Sequence, residues 1–326
     1  MPCSRRRVPL LIAGLLMGMS TAQAADVFPS PGKPIRIIVP FTAGGQAETL
    51  ARIVGTRLAD ALGVPVIVET KPGASTALGA SEVQRAAPDG HTLLFTNGLT
   101  HAQNPHLRAK LTYDAKKFTP IFQLVESGNV LIANPSVPAN NVRELIAFAK
   151  ANPGKISYAS IGAGSGGHLL AELFMQKTGT VLTHIPYKGS ADANRDLWGG
   201  QVDIMFDGFG TAIQGLNAKR VKALGIATKS RNPALPDVPT LAEQGVEGVD
   251  LQGYIGFFGP ADMPPAVVTR LNTEMQKILD TPAVTEQILQ GGNTPAGGSP
   301  AKFAKVVSEQ YDTWGAVIQK IGLKLE

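Results

Sequence analysis

The chain has 326 residues, of which 44% are hydrophobic and 17% charged, a composition typical of a globular protein long enough for two domains. Thirty basic residues against 25 acidic ones give a formal net charge of only +5, which offers no reason to expect nucleic acid or an anionic membrane as a partner. The single cysteine, Cys3, rules out a disulfide within the chain.

The first 24 residues have the organisation of a signal peptide. Arg5–Arg7 form a basic start, and Leu10–Met19 is an apolar run too short to span a bilayer comfortably. Ala22–Ala24 matches a cleavage signal, which predicts cleavage after about Ala24 and export to the periplasm. The adjacent arginines leave the twin-arginine route open beside the general secretory route. Cys3 departs with this segment, so the mature protein must be stabilised by its core alone.

A strand, a glycine turn and a helix follow one another at the start of the mature chain. Ile35–Val39 is an apolar, β-branched run that predicts a central parallel strand. Gly44 and Gly45 allow a sharp turn, after which a helix is expected from about Ala47. The first N–H groups of a helix have no partner within it and carry partial positive charge. The unit therefore predicts either a plain strand-to-helix corner or an anion-binding helix terminus.

The same order recurs in the second half of the chain. Lys155–Phe174 contains a short strand, the glycine-rich turn Gly162–Gly167 and an amphipathic helix. Two such units could direct two helix N-termini into one cleft. That arrangement would suit a small ligand with an anionic group at one or both ends.

The remaining segments alternate between strands and helices, which predicts an α/β protein with mainly parallel sheets. Further strands are expected at Val66–Val68, Thr92–Phe95, Ile121–Val125, Val130–Ala133, Val181–Ile185, Val202–Phe206, Val221–Ala227 and Tyr254–Phe258. Further helices are expected up to about Ala87, at Val142–Lys150 and Ala191–Trp198, up to about Asn217, and at Pro264–Leu279, Val284–Leu289 and Pro300–Ile321.

Two of these strands are interpreted as crossings between domains. The predicted first domain consists of residues 27–127 and 253–326, and the second of residues 128–252. Hinge motion is expected near Val125–Val130 and Gly253–Tyr254.

Polar residues follow several predicted strands, at the edge where open α/β sheets bind ligands. Asn97 and Thr100 lie in a segment, residues 96–105, that is predicted to be a polar loop. Tyr187 and Lys188 follow a later strand, and Asp207 follows another. Each of these residues could contact a ligand, and each could equally be a solvated or capping residue.

Competing motifs occur in the second glycine turn. Gly162–Gly167 matches the dinucleotide fingerprint, but the next strand ends in Pro186 and Tyr187 rather than in the acidic residue that binds ribose. Ser165 is a near match to the nucleophile elbow of hydrolases, with His168 three residues away, and a periplasmic hydrolase remains an alternative. No histidine pair has metal-ligand spacing with a third ligand nearby, so we expect no metal. Because the dinucleotide motif also lacks its acidic residue, we expect no cofactor.

Taken together, these motifs resemble those of the Bug/TctC family, the extracytoplasmic solute receptors of tripartite tricarboxylate transporters. The resemblance covers nearly all of the predicted mature chain, and the combination of motifs is specific to that family. The matching stretches are Pro34–Gly45, Lys71–Ala74, Ala87–Leu93, Asn134–Pro138, Tyr158–Ser165, Ile185–Ser190, Gly200–Asp207 and Leu235–Thr240.

The resemblance implies a periplasmic binding protein of type II-like fold, not an enzyme, with two α/β domains closing over a small carboxylate or amide analogue. The partner it implies is a membrane permease, although a receptor feeding a sensor kinase stays an alternative, and we expect a monomer. The contacts that carry over fall on Phe41, Thr42, Ala43, Gly44, Gly45, Asn97, Thr100, Ser160, Gly164, Ser165, Gly166, His168, Tyr187, Lys188 and Asp207.

Glu48 also belongs to the predicted site, as a departure from the family pattern. Many relatives carry Asp at this position in the first turn of the helix. The longer acid is expected either to crowd the cleft or to turn out to solvent.

Overall fold

The computed structural model describes Met1 and residues 28–325, so the predicted signal peptide and its cleavage site lie outside the described residues. None of the helices in the described part combines the length and the apolar character that a bilayer span requires.

The strands form two sheets. They are β1 (Ile35–Val39), β2 (Val66–Thr70), β3 (Thr92–Asn97), β4 (Phe118–Ser127), β5 (Asn129–Ala133), β6 (Ser157–Ser160), β7 (Thr183–Pro186), β8 (Ile204–Gly208), β9 (Lys222–Ile226), β10 (Gly253–Pro260) and β11 (Thr294–Pro295). The order is β11-β4-β10-β3-β1-β2 in the first sheet and β7-β6-β8-β5-β9 in the second.

Helices connect most of these strands. They are α1 (Gln46–Leu62), α2 (Ala77–Gln84), α3 (Asn104–Leu107), α4 (Val142–Ala151), α5 (Gly166–Thr178), α6 (Ser190–Trp198), α7 (Phe209–Asn217), α8 (Pro265–Leu279), α9 (Pro282–Gln290) and α10 (Pro300–Ile321). A π-helical segment, Leu99–Gln103, precedes α3, and a short 3-10 turn lies at Ala242–Gln244.

The predicted α/β architecture with two sheets is confirmed, but each sheet is mixed rather than mainly parallel. Strand β1 runs parallel to β2 and β3, and β6 runs parallel to β7 and β8. In contrast, β10 is antiparallel to β3 and β4, and β5 is antiparallel to β8 and β9. The reason is topological: β5 follows β4 directly, so it enters its sheet from the edge where β8 ends and must run the opposite way.

The cores follow from the apolar patterns. Ile35, Ile37 and Val39 of β1 are fully buried, and α1 packs Leu50 and Val54 against them. Burying such a side chain contributes about 1.5–3 kcal/mol each. A separate buried cluster fills the second sheet and its helices. We propose that the domains are residues 27–127 with 253–326, and residues 128–252, because the two sheets draw their strands from these ranges.

The predicted polar loop at residues 96–105 is wrong. Strand β3 continues to Asn97, and the π-helical segment and α3 follow almost at once. Leu99, Ala102 and Leu107 are buried, as are the polar side chains Thr100 and His101. The error arose because a π-helix has neither the period of a strand nor that of an α-helix.

Candidate functional site

A cavity of about 110 Å³ is lined by residues of both sheets where four helices begin. Its walls include Gly45 before α1, Gly166 at the start of α5, Ser190 at the start of α6 and Gly208 before α7. The first N–H groups of each helix lack acceptors within the helix, so partial positive charge converges here from four directions. Among the described residues that line the cavity, none is lysine, arginine or histidine. An anion held here would be held by backbone N–H groups.

Two of these helix starts, those of α1 and α5, are the ones predicted from the sequence. Helices α6 and α7 were predicted too, but their starts were not expected at the site, because Gly189-Ser190 and Gly208-Phe209 lack the run of glycines that marks the other two turns. The positions of Ser190 beside Gly45 and of Gly208 beside Gln46 show how closely the two sets of helices approach.

Glu48 does not behave as expected. It is buried, and its Oε2 accepts a hydrogen bond from the N–H of Gly44 at 2.6 Å while its Oε1 accepts one from Arg52 Nε at 2.8 Å. The prediction that it crowds the cleft or turns to solvent is therefore wrong, because the extra methylene lets the carboxylate fold back over the turn. The Gly44 N–H, together with Arg52, holds the pKa of Glu48 below its usual value. The same bond occupies the N–H of Gly44, which leaves the N–H groups that follow it for a ligand.

Asp207 is the charged residue of the cavity wall. It is 1% exposed, and its Oδ2 accepts hydrogen bonds from Thr211 Oγ1 at 2.6 Å and Asn194 Nδ2 at 2.9 Å. Its Oδ1 accepts a third from the N–H of Gly208 at 2.9 Å. Burial nevertheless raises the pKa of Asp207 to about 6, because these donors offset only part of the lost solvation.

Further polar groups of the first sheet's side face the same cavity. Asn97 Oδ1 accepts a hydrogen bond from the N–H of Leu99 at 3.0 Å, so its amide N–H₂ group is the donor left for a ligand. Gln103 and Trp314, which sequence reasoning missed, also line the cavity. Within the described residues, the buried Oε1 of Gln103 has no hydrogen-bond partner. The indole N–H of Trp314 donates to Gln310 at 3.0 Å and is already satisfied.

A second cavity, of about 240 Å³, lies beside the first, and Phe41, Leu99 and Ile161 line both. Tyr187 and Lys188 line the second cavity rather than the first. The opposite wall is formed by residues 73–76, in which three consecutive non-glycine residues have left-handed φ angles of 46°, 49° and 78°. Left-handed φ angles are rare for these residue types, so the backbone of this segment follows an unusual path.

The other predicted site residues line neither cavity. They are Thr42, Ala43, Gly44, Glu48, Thr100, Ser160, Gly164, Ser165 and His168. The Thr100 hydroxyl lies 2.7 Å from Thr96 Oγ1 and 2.9 Å from Thr76 Oγ1 inside the first domain. Thr42 packs against Gly189, where a Cβ atom would overlap its hydroxyl.

The hydrolase alternative fails on the geometry of its two residues. His168 Nδ1 accepts the N–H of Gly164 at 2.8 Å, and its Nε2 faces Glu172 at 3.4 Å. Neither ring nitrogen is therefore available to Ser165, whose buried hydroxyl has no partner among the described residues. Activation of a serine requires such a bond to a base. In the part of the chain that the structure describes, no group of three His, Cys, Asp or Glu residues could hold a metal ion.

Comparison with known proteins agrees with the geometry of the site. Residues 50–323 match the family model described as tripartite tricarboxylate transporter family receptor. Rpa4515 of R. palustris, solved with adipate, is 32% identical, with a TM-score of 0.88 and coverage of 90% of this chain and 99% of that one. The periplasmic binding protein BugD is 33% identical, with a TM-score of 0.86 and coverage of 91% and 100%.

A third solved structure, MatC from Rhodopseudomonas palustris with bound malate, is 32% identical, with a TM-score of 0.84 and coverage of 88% of this chain and 99% of that one. The family and these neighbours are solute-binding receptors rather than enzymes. This finding and the geometry of Ser165 both overturn the hydrolase alternative.

Proposed function

The chain belongs to the tripartite tricarboxylate transporter receptor family, and from that premise we propose that it is a periplasmic receptor for a small dicarboxylate, which it delivers to a membrane permease. The observation that carries the ligand class is the convergence of four helix N-termini on one cavity without a basic side chain. Backbone N–H groups at helix starts bind carboxylates without a cationic partner.

Two features favour a ligand with two acidic groups. The solved relatives with adipate and malate both hold dicarboxylates. In this chain the second cavity adjoins the first across Phe41, Leu99 and Ile161, and Lys188 stands at its wall. We propose that one carboxylate occupies the first cavity, with the N–H groups of α1 and α5, and that the remainder of the ligand extends towards Tyr187 and Lys188.

Capture would depend on closure of the two domains. Gly45 and Gly189 contact Ser190 and Thr42 across the cleft so closely that neither leaves room for a side chain. On the far side, Asn232 Nδ2 donates to the carbonyl of Gly292 at 2.7 Å. We propose that a bound ligand stabilises these contacts, with hinges near Val125–Val130 and Gly253–Tyr254, and that the permease recognises the closed surface.

The test is a thermal-unfolding screen of the mature chain from Ala25, after unfolding and refolding to remove any ligand that co-purifies. Malate, adipate, a monocarboxylate, a tricarboxylate and the corresponding neutral amides form the panel. Ligand at about a hundred times its dissociation constant should stabilise the folded state by about 2.7 kcal/mol, which raises the midpoint by several degrees. Stabilisation by dicarboxylates and not by their amides is expected. A response to the amides alone, or to no compound, would contradict the proposal.

Export and delivery need separate measurements. N-terminal sequencing of protein recovered from the periplasm should begin near Ala25, and a start elsewhere would overturn the proposed cleavage site. For delivery, cells lacking the receptor should lose uptake of the labelled ligand identified by the screen. Unchanged uptake together with a lost transcriptional response to that ligand would favour the sensor-kinase alternative.

A further inference from the structure

Three aromatic rings are stacked behind the glycine turn that leads into α5. The rings of His168 and His184 lie 3.9 Å apart between centroids and only 7° from parallel. Tyr158 also stacks on His184, with the centroids 4.7 Å apart, and its ring centroid lies 6.2 Å from that of His168. Tyr158, His168 and His184 come from β6, α5 and β7, so the stack joins three elements of the second domain. His168 is buried and His184 is half-buried, and the ligand contacts proposed above use neither ring.

The hydrogen bonds of His168 define its protonation state. Its Nδ1 lies 2.8 Å from the backbone nitrogen of Gly164, and a backbone N–H can only donate. Nδ1 must therefore be the unprotonated acceptor, and the proton of the neutral ring sits on Nε2, which faces Glu172 Oε1 at 3.4 Å. Glu172 also accepts the hydroxyl of Tyr158 at 2.8 Å. A protonated His168 could no longer accept the N–H of Gly164.

The second histidine holds the same turn at another point. His184 Nε2 lies 2.7 Å from Ser160 Oγ, and that hydroxyl bonds both the carbonyl of Gly162 at 3.1 Å and its N–H at 3.3 Å. Gly162 and Gly164 have left-handed φ angles of 127° and 84°, so the turn between them has little preference of its own for this conformation. The two imidazoles thus hold the two glycines that shape the turn.

We propose that His168 and His184, in their neutral forms, position the glycine turn at the start of α5, and that protonation of His168 releases the turn and weakens ligand binding. The ligand part of this proposal rests on the function proposed above.

Charged and titratable groups surround the stacked rings. The groups that face the stack are Glu172 on α5, Tyr158 on β6 and the imidazoles themselves. Two cations stacked this closely would repel each other. Burial, and then the charge of a protonated His168, lowers the pKa of His184 to about 4.

The turn connects directly to the ligand cavity. Gly166 and Gly167, which follow Gly164 by two and three residues, line that cavity at the start of α5. On its other side, Gly164 packs so closely against Leu107 of the first domain that a Cβ atom would overlap the leucine side chain. Release of Gly164 would therefore disturb both the N–H groups offered to the ligand and a contact across the cleft.

The first experiment needs no ligand. Hydrogen exchange of the Gly162–His168 segment is followed by mass spectrometry between about pH 7.5 and about pH 5.5, in the wild type and in His168→Asn, His168→Phe and His106→Gln. Asn places its Oδ1 where Nδ1 stands but cannot be protonated, and Phe keeps the ring without an acceptor. His106, which lies against the carbonyl of Tyr311 on another element, is the matched control.

The wild type and His106→Gln should lose protection of this segment by about tenfold or more on acidification, relative to His168→Asn at the same pH. His168→Asn should stay protected throughout, and His168→Phe should be unprotected throughout. Equal protection in the wild type and His168→Asn at every pH would overturn the proposal. If a variant does not fold, ¹⁵N NMR of the wild-type imidazoles decides instead, because a proton on Nδ1 of His168 at neutral pH contradicts the assigned tautomer.

The second experiment uses malate and adipate as probes. Calorimetric affinities of the wild type should fall by about tenfold over the same pH interval, whereas those of His168→Asn should change by less than about twofold. Asp207 titrates in both proteins, so its effect cancels in this comparison. An equal fall in both overturns the role of His168. Absence of binding by either probe counts against the proposed ligand class, and the exchange result still decides whether His168 positions the turn.

Discussion

In the turns before α1 and α5, an equivalent glycine N–H donates to two different kinds of side chain. In the first, the N–H of Gly44 is accepted by Glu48, and in the second the N–H of Gly164 is accepted by His168. In both, the acceptor lies four residues after the glycine, in the first turn of the helix. A carboxylate keeps its acceptor down to acidic pH, whereas an imidazole loses its acceptor once it is protonated. Equivalent geometry therefore gives the two halves of one site different responses to pH.

The largest expected effect on stability comes from Asp207, beside the start of α7. Its pH dependence should be opposite in sign to that of Glu48. Burial raises the pKa of Asp207 from 3.8 to about 6, opposite in direction to Glu48. Between those values the folded state holds a proton that the unfolded chain has released, so stability falls as pH rises through this window. The free energy of unfolding of the wild type, relative to Asp207→Asn, should fall by about 3 kcal/mol between about pH 3 and about pH 7. Urea denaturation across that range measures it, and a constant difference would contradict the expected pKa.

Steric fit at the start of α5 gives the next largest effect. A Cβ atom on Gly167 would lie 2.5 Å from the backbone oxygen of Phe206, which cannot move without disturbing β8. Gly167→Ala should therefore cost about 2 kcal/mol in the free energy of unfolding, as overpacking does. Its neighbour provides the control, since a Cβ atom on Gly166 meets nothing closer than 3.5 Å. Equal costs for Gly167→Ala and Gly166→Ala would show that helix entry, rather than this contact, sets the penalty.

The acidic acceptor of the first turn should contribute less. Glu48→Gln keeps an oxygen for the Gly44 N–H but loses the charge, and should cost about 1–2 kcal/mol at neutral pH. Because the folded-state pKa of Glu48 is lowered from 4.5, its contribution is present above about that pH and is lost as pH falls through the folded-state value. The difference between the wild type and Glu48→Gln in urea denaturation should thus vanish at acidic pH. A difference that persists well below pH 4 would contradict a role for the charge.

The smallest expected effect separates closure from folding. Gly45→Ala would bring a Cβ atom to 2.8 Å from Ser190 Oγ across the cleft, at a φ of −86° that alanine adopts freely. Ligand affinity should fall by about tenfold with little change in stability, and Ser190→Gly should restore it in the double variant. Calorimetric titration with the ligand found in the screen measures both. Failure of Ser190→Gly to rescue binding would place the defect in the turn itself. Gly199→Ala, on an exposed helix end, is the control for added volume.

The parts of this site that the sequence predicts are those with a local signature. The entry to α1 is marked by an apolar strand, Ile35–Val39, followed by the glycine pair Gly44-Gly45. The entry to α5 is marked by the glycine-rich turn Gly162–Gly167. Gln103 and Trp314 could not be found in this way. Gln103 lies in a π-helix, whose period no simple pattern matches, and Trp314 arrives from α10, far away along the chain.

The hydrogen bonds of the Glu48 and His168 side chains could not be predicted from the sequence, for a different reason. Glu48 was expected to crowd the cleft or to turn out to solvent, and the family resemblance placed His168 among the ligand contacts. Each turns back instead to a glycine N–H of its own turn, an arrangement fixed at the scale of a single hydrogen bond. Composition and periodicity carry no information at that scale.

The connection between β4 and β5 has a consequence for affinity. Gly128 alone separates Ser127 from Asn129, and all three residues line the cavity. Within this connection, one of the two crossings between the halves of the site, the link is a single residue, so the halves remain at a high effective concentration relative to each other. A ligand that contacts both halves therefore binds bivalently to two weak half-sites, and its overall affinity reflects the product of their affinities. A small change in the affinity of either half-site should then have a large effect on how long the whole site retains the ligand.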